Sequence, residues 1–287
     1  MSANPAVRLV TAAHLPELAP DDQELLKALR RKGIDTEVVV WGDATVDWST
    51  ARLTVIRSVF DYHLRCAEFL RWLDHVESRT IVHNAPEIIR WNTHKSYLRA
   101  VADAGFSTIP TEWLHPGQPV DLRRIRADRG WAEVIVKPAV SASAHNTLKV
   151  TEDNLDDGQA HAERLVADDL ALVQPYLYDF ETVGETSVIY LGGQRTHCVR
   201  RPSGIHTTLE QAHVGAPLQP TQAELALAQR AFDWIAPQPL YARIDLIDSV
   251  DHGLLVLELE LVEPALYLRH STEATAAFAA AVQARLS

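Results

Sequence analysis

Two stretches near the C-terminal end, Tyr241-Ala-Arg-Ile-Asp-Leu-Ile-Asp248 and Leu254-Leu-Val-Leu-Glu-Leu-Glu-Leu261, alternate apolar and polar residues with period two. The residues between them, Ser249-Val-Asp-His-Gly253, are a short turn-forming link, so the pair reads as an antiparallel hairpin. In the first arm Arg243 and Asp245 share a face, with Ala242, Ile244 and Leu246 on the other. In the second, Glu258 and Glu260 lie opposite Leu257, Leu259 and Leu261. A loop of Val250 to Gly253 pairs Ser249 with Leu254, which sets Asp245 across from Glu258 and Arg243 across from Glu260. Like charges facing each other across a ladder destabilise it by a few tenths to ~1 kcal/mol, so the arrangement asks for a cation. Oxygen ligands with no Cys or His in the set suit Mg²⁺ better than zinc. An outer sheet face in water would alternate in the same way.

The rest of the chain reads as alternating strands and helices. A strand at Val7 to Thr11, a helix from Asp21 to Lys32 stopped by Gly33, strands at Thr36 to Trp41 and Leu53 to Ile56, a helix from Tyr62 to Val76 and a strand at Thr80 to Val82 make an α/β lobe over 1–90. A helix from Pro86 to Ala104 ends at Gly105. Strands at Thr111 to Leu114, Glu133 to Lys137, Thr147 to Val150 and Leu170 to Gln174, with a helix near Gln159 to Ala167, make a compact α+β unit over 91–177. The remainder, 178–287, is β-rich, with the hairpin, strands at Glu185 to Tyr190 and Arg195 to Arg200, and helices near Gln222 to Trp234 and Glu273 to Arg285. The fold class is α/β (α+β) in three lobes.

Charge narrows the partners. Lys and Arg number 27 against 38 Asp and Glu, a formal net charge of −11, which repels phosphate polymers and anionic membranes and disfavours a nucleic-acid role. Cys66 and Cys198 form no CxxC pair, and Met1 to Pro20 lacks a basic head and a sustained apolar run, so a cytoplasmic protein with reduced thiols is expected. No apolar run approaches the ~20 residues of a spanning helix. The 12 glycines form neither GxxxxGK[ST] nor GxGxxG, and neither GxSxG nor HExxH is present, although there are 13 histidines.

Three further segments carry chemistry. Lys137 ends the apolar run Val134-Ile-Val-Lys-Pro138, where its side chain could meet a nucleotide phosphate; a strand-end lysine in water looks the same. Ala139-Val-Ser-Ala-Ser-Ala-His145 supplies small residues with free N–H groups, as a phosphate-covering turn requires and as a plain β-turn also would. Leu170-Ala-Leu-Val-Gln-Pro-Tyr-Leu177 ends in a rigid connection that could offer backbone to an adenine edge or simply link two lobes.

In order and spacing, Asn92-Thr-His-Lys95, Val136-Lys-Pro138, Gln174-Pro-Tyr-Leu177, Gly184-Glu-Thr-Ser187, Arg200-Arg-Pro-Ser-Gly204, Arg243-Ile-Asp245 and Glu258-Leu-Glu260 resemble the ATP-grasp superfamily across essentially the whole chain. Within it the chain is most similar to the glutathione-synthetase-like and glutamate-ligase-like members. Arg57-Ser-Val-Phe-Asp-Tyr62 and Glu258-Leu-Glu-Leu-Val-Glu-Pro264 are similar to small ligases of antibiotic pathways, the cycloserine-forming ligases among them. One departure is Ser141-Ala-Ser143, where many relatives are Gly-rich.

The resemblance implies ATP held between two α+β lobes, with one or two Mg²⁺ ions on Asp245, Glu258 and Glu260. It implies an acyl phosphate made from a carboxylate substrate and then attacked by nitrogen, in the cycloserine-forming ligases the closure of O-ureido-D-serine to D-cycloserine. Lys95, Lys137, Arg200 and Arg243 would gather on the transferring phosphoryl group, Arg200 and Arg243 catalytically. Ser141 and Ser143 would cover phosphates, Gln174, Tyr176 and Leu177 would line the adenine slot, and Glu185 would reach the ribose or a cover. Ser203 to Gly215, with Gly204, His206 and His213, could supply a mobile flap that keeps water from the intermediate. Arg57 would clamp the substrate carboxylate and Glu263 would meet its amino group. A ligase joining two molecules and a non-catalytic ATP-binding protein are the alternatives, and a homo-oligomer remains open.

Overall fold

The computed structural model describes residues 4–201 and 215–286. Strand β1 (Val7–Thr11) is followed by helix α1 (Asp22–Arg31), β2 (Thr36–Val40), β3 (Leu53–Ser58), α2 (Cys66–Glu77) and β4 (Ile81–His83). These strands form one parallel sheet in the order β2-β1-β3-β4. Parallel strands are covered on both faces, and β1 and β3 are accordingly buried at every position. Their alternate residues part company: Leu9 and Val55 meet Leu25 and Leu29 of α1, while Val10 and Ile56 meet Phe69, Leu73 and Val76 of α2.

Helices α3 (Pro86–Asn92) and α4 (Tyr97–Asp103) replace the single helix expected there. At the break the Lys95 N–H donates to the carbonyl of Ala139 at 2.8 Å, so a bond across to another segment ties down this lysine. Next come β5 (Glu112–Leu114), α5 (Leu122–Arg129), β6 (Val134–Pro138), β7 (Leu148–Val150), α6 (Leu155–Val166) and β8 (Ala171–Pro175). The strands form an antiparallel sheet, β5-β8-β6-β7, with Leu122, Leu155, Ala162 and Val166 of the helices packed on Val134, Val136 and Val173. Helix α5 was not legible from periodicity, because Leu-Arg-Arg-Ile-Arg-Ala-Asp-Arg has few apolar positions. Its ends carry the signal instead: the Asp121 carboxylate caps the Arg124 N–H, and Gly130 closes the helix at φ 68°.

The last part contains α7 (Asp179–Thr182), β9 (Glu185–Leu191), β10 (Gln194–Arg201), β11 (Ala216–Pro217), α8 (Gln222–Trp234), β12 (Tyr241–Ser249), β13 (Gly253–Glu260) and α9 (Thr272–Ala284). The sheet order is β11-β10-β9-β12-β13. One face, with Val188, Tyr190, Ala242 and Ile244, is buried under Ala228 and Phe232 of α8 and Tyr97 and Val101 of α4. On the other, Ile189, Leu191 and Tyr241 pack with Phe278 of α9, which also reaches Leu25 and Leu29 of the first sheet.

The open edge of β13 is covered by hydrogen bonds. Asn92 donates to the Leu259 carbonyl at 2.7 Å and accepts from the Leu261 N–H at 2.9 Å. The Tyr97 hydroxyl accepts from Leu259 N–H at 3.0 Å, and Asn84 donates to the Tyr241 and Leu261 carbonyls at 2.9 and 2.7 Å. The boundary expected at residue 91 thus falls inside a stretch fastened to the C-terminal sheet. No helix among the described residues is long and apolar enough to cross a membrane.

The hairpin turn is one residue tighter than expected: Ser249 pairs with Gly253, not Leu254. A bulge between Asp245 and Leu246 restores the register, so Asp245 does face Glu258 and Arg243 does face Glu260.

Candidate active site

Between the central and C-terminal sheets lies a cavity of about 290 Å³. Lys95, Lys137, Ser141, Ser143, Gln174, Tyr176, Glu185, Arg243, Glu258, Glu260 and Glu263 all line it, although they come from six separated segments. The sheet pleat explains much of the convergence. Glu185, Ser187, Arg201, Arg243 and Asp245 share one face of the C-terminal sheet through the pairs Glu185–Arg201, Ser187–Asp245 and Arg243–Ile189.

On that face the charges are matched. Asp245, buried, accepts from Arg243 Nε at 2.9 Å and Nη2 at 2.9 Å, from Ser187 Oγ at 2.6 Å and from Arg201 at 3.3 Å. Burial alone would push its pKa up, but Arg201 and Arg243 outweigh burial and hold it below the ordinary value. Arg243 also donates to Glu260 at 3.0 Å. Lys95 pairs with Glu258, and Arg201 with Glu185. Burial works against the Lys95 ammonium, yet Glu258 keeps its pKa above the usual lysine value. Burial would also raise the Glu258 pKa, and Lys95 and then Lys137 bring it below the ordinary one.

Lys137 contrasts with these. It makes no ion pair or hydrogen bond among the described residues, and burial followed by repulsion from Lys95 lowers its pKa to about 8. Beside it, the loop after β6 runs through left-handed backbone at Ser143, Ala144 and Asn146, with φ 51°, 54° and 54°. Such conformations without glycine need outside support. Ser141 Oγ donates to the His145 carbonyl at 2.9 Å, and His161 Nε2 bonds the Asn146 carbonyl at 2.9 Å. At the far end Gln174 is fixed by a 2.8 Å bond to Thr111, and the Lys149 ammonium sits 3.6 Å from the Tyr176 ring centre.

Several expectations are corrected. Arg200 does not reach the cavity: strand alternation turns it to the opposite sheet face, where it bonds the Val183 and Gly184 carbonyls at 3.3 Å, and Arg201 takes the cavity side. The available signal was parity, since Arg201 stands opposite Glu185 and two residues beyond the buried Val199. Arg57, expected to clamp the substrate carboxylate, does not line the cavity. It is 0% exposed, bonded to Asp22 at 2.9 Å and to the Pro264 carbonyl at 2.7 Å, with its guanidinium 4.6 Å from the Tyr241 ring centre. Leu177 turns its side chain into a cluster with Ile109, Ile247 and Leu255, outside the cavity lining. Asp245 is likewise enclosed by its arginines, leaving Glu258 and Glu260 as the half-buried carboxylates of the trio that open on the cavity. Among the described residues no group of three or more His, Cys, Asp or Glu converges as a metal cluster. Of the expected flap, residues 203–214, including Gly204, His206 and His213, lie outside the described residues, whereas Gly215 lies within them.

Glu263 was expected to meet an amino group, and it lines the cavity at 7% exposure. Burial and then the neighbouring Glu260 raise its pKa well above the usual carboxylate value.

Comparison with known proteins agrees with this architecture. Residues 7–84 match the family model described as D-cycloserine synthetase DcsG, N-terminal domain. The cycloserine biosynthesis protein DcsG of Streptomyces lavendulae is 32% identical over 97% of this chain and 98% of that protein. The crystal structure of D-cycloserine synthetase DcsG superposes with a TM-score of 0.87 at 30% identity, covering 98% of this chain and 99% of the other. D-alanyl-alanine synthetase A from Vibrio cholerae superposes at 0.70 with 14% identity, covering 99% of this chain and 98% of that one. The ATP-grasp ligase PsnB, solved with a precursor peptide and AMPPNP, superposes at 0.64 with 17% identity over 100% of this chain and 99% of its own.

Proposed function

The chain belongs to the cycloserine-synthetase family of ATP-grasp ligases, and from that premise we propose that it closes O-ureido-D-serine into the D-cycloserine ring. The substrate carboxylate would attack the γ-phosphate of ATP, ADP would leave, and the oxygen-bound nitrogen of the same molecule would displace phosphate from the acyl carbon. The ring nitrogen of the product carries no carbamoyl group, so one water would cleave that nitrogen–carbon bond, the nitrogen keeping a proton and the carbamoyl unit leaving as carbon dioxide and ammonia.

The observation that carries this reading is Lys137, unpaired among the described residues, facing matched acidic and basic side chains across one cavity. An anion approaching a polyanion needs cations already in place. Lys137 would take the β- and γ-phosphates, the loop at Ser141 and Ser143 would cover them, and Arg243 with Arg201 would meet the charge of the transferring group. Gln174 and Tyr176 would line the adenine end, with Glu185 toward the ribose. The half-buried oxygens of Glu258 and Glu260 fit Mg²⁺, and Asp245 would join them if an arginine let it go for a phosphate. Held there, Mg²⁺ would supply positive charge against the phosphates. Glu263 would face the substrate's ammonium.

Holding both ends of one molecule together contributes about 7–11 kcal/mol to such a closure, and the departing phosphate would carry off the proton that the attacking nitrogen loses. The test is ADP release across a panel of amino acids and ureido-amino acids, singly and in pairs, with Glu258→Gln as the control. Release with O-ureido-D-serine alone, abolished in the variant, is the expected outcome. Release only from paired compounds would replace cyclisation by an intermolecular ligase, and nucleotide binding without release would leave a binding protein.

A further inference from the structure

The side chains on the cavity wall divide by whether the protein already satisfies them. Lys95, Glu185, Arg201, Arg243, Glu258 and Glu260 all have ionic partners. Lys137, Glu263 and the hydroxyl of Tyr62 have no hydrogen bond or ion pair among the described residues. Buried polar groups are costly when unpaired, so those left open toward a cavity mark where a ligand completes them.

Tyr62 is 5% exposed and lines the cavity, on the single helical turn Tyr62–Arg65 that follows β3. Phe69 packs against its ring, with centroids 5.3 Å apart, so the ring is held. Glu263 sits on the segment after β13, so the two groups reach the cavity from the first sheet and the last. Of the charges around Tyr62, Glu263 acts on it most strongly, ahead of Glu260 and Glu258. Of these acids Glu258 and Glu260 are paired with Lys95 and Arg243, and Glu263 alone has no ionic partner among the described residues, so it is Glu263 that draws an ammonium to this end; the anionic end of a substrate belongs near Lys137.

We propose that Tyr62 is a specificity-determining residue: its hydroxyl oxygen accepts a hydrogen bond from the α-ammonium of the amino-acid substrate, whose charge is met by Glu263 from the opposite lobe. The proposal rests on the reading of this cavity as the ligase site. An analogue lacking the ammonium would leave a buried carboxyl and a buried hydroxyl unsatisfied, which is how a polar site rejects the wrong ligand.

Calorimetric titration of the full chain, preloaded with Mg²⁺ and AMPPNP, tests this with O-ureido-D-serine and its counterpart lacking the amino group, and with D-serine and 3-hydroxypropanoate. Wild type should prefer the ammonium-bearing member of each pair. Tyr62→Phe should weaken the ammonium-bearing ligand by about 5- to 10-fold, the worth of one hydrogen bond, and leave its counterpart and AMPPNP within about twofold. Glu263→Gln, read on the same pairs, should largely remove the preference and serves if Tyr62→Phe fails to fold. Equal binding of the two members by wild type, their joint absence of binding, or an equal loss for both in Tyr62→Phe overturns the assignment. A wild type that prefers ammonium ligands without turning over O-ureido-D-serine keeps Tyr62 in this role and removes that substrate. Turnover of O-ureido-D-serine with unchanged KM in Tyr62→Phe removes Tyr62 and keeps the ligase.

Discussion

Lys137 on the central sheet and Lys95, Arg201 and Arg243 around the C-terminal sheet line one cavity, but they are kept in opposite electrostatic conditions. The C-terminal group is neutralised in advance by Glu258, Glu185, Asp245 and Glu260. Among the described residues Lys137 makes no ion pair, and burial followed by the neighbouring Lys95 lowers its pKa to about 8, against the weaker pull of Glu258 and Glu185. Matched pairs keep their geometry without ligand, whereas an unmatched buried cation is a cost to the fold that an anion can relieve. Positioning and attraction are thereby divided between the two sides of the cleft.

The largest effect that could break this division is at Lys137. Lys137→Met should cut turnover about 10²- to 10³-fold, the usual loss for one group stabilising transferred charge, and should leave the thermal midpoint unchanged or higher. Lys95→Met should lose activity too, but it strands Glu258 and should lower stability by about 1–3 kcal/mol in a denaturant titration. Were both variants to lose stability alike, the contrast between the two sides would be wrong. Arg201→Ala should lower turnover about 10- to 100-fold, while Arg200→Ala, on the other sheet face, should stay within about threefold. Steady-state ADP release separates the two.

The same contrast explains what could be read in the chain beforehand. Period-two alternation identified β12 and β13 and the face each side chain takes, because a pleat fixes side-chain direction residue by residue; the facing of Asp245 with Glu258 holds only because a bulge offsets a turn one residue tighter than expected. It also held the answer for Arg201, since parity along β10 decides between neighbouring arginines. What alternation does not encode is which partner a charge will find across lobes. Arg57 looked like a ligand clamp because an arginine at a strand end is ambiguous; only packing 35 residues back against Asp22 shows it to be an internal ion pair. Helix α5 was hidden because its charged face outweighs its apolar one, and the left-handed turns at Ser143 and Ala144 are invisible in a sequence without glycine there.

The smallest expected effect is the most direct reading of the Lys137 environment, and its sign can be worked through. A lysine whose pKa drops from 10.5 to about 8 on folding is neutral in the folded state and charged in the unfolded one between those values. Over that window the unfolded chain binds more protons, so Lys137 makes stability rise with pH. Nucleotide binding has the opposite slope, because phosphate needs the ammonium that is lost above about 8. The Kd for AMPPNP should therefore increase from pH 7 to pH 9 by about tenfold or less. Lys137→Arg, whose guanidinium stays charged, should flatten that rise, while Lys95→Arg should keep it. A rise that persists in Lys137→Arg would move the titrating group elsewhere and would mean that Lys137 has a counter-ion beyond those among the described residues.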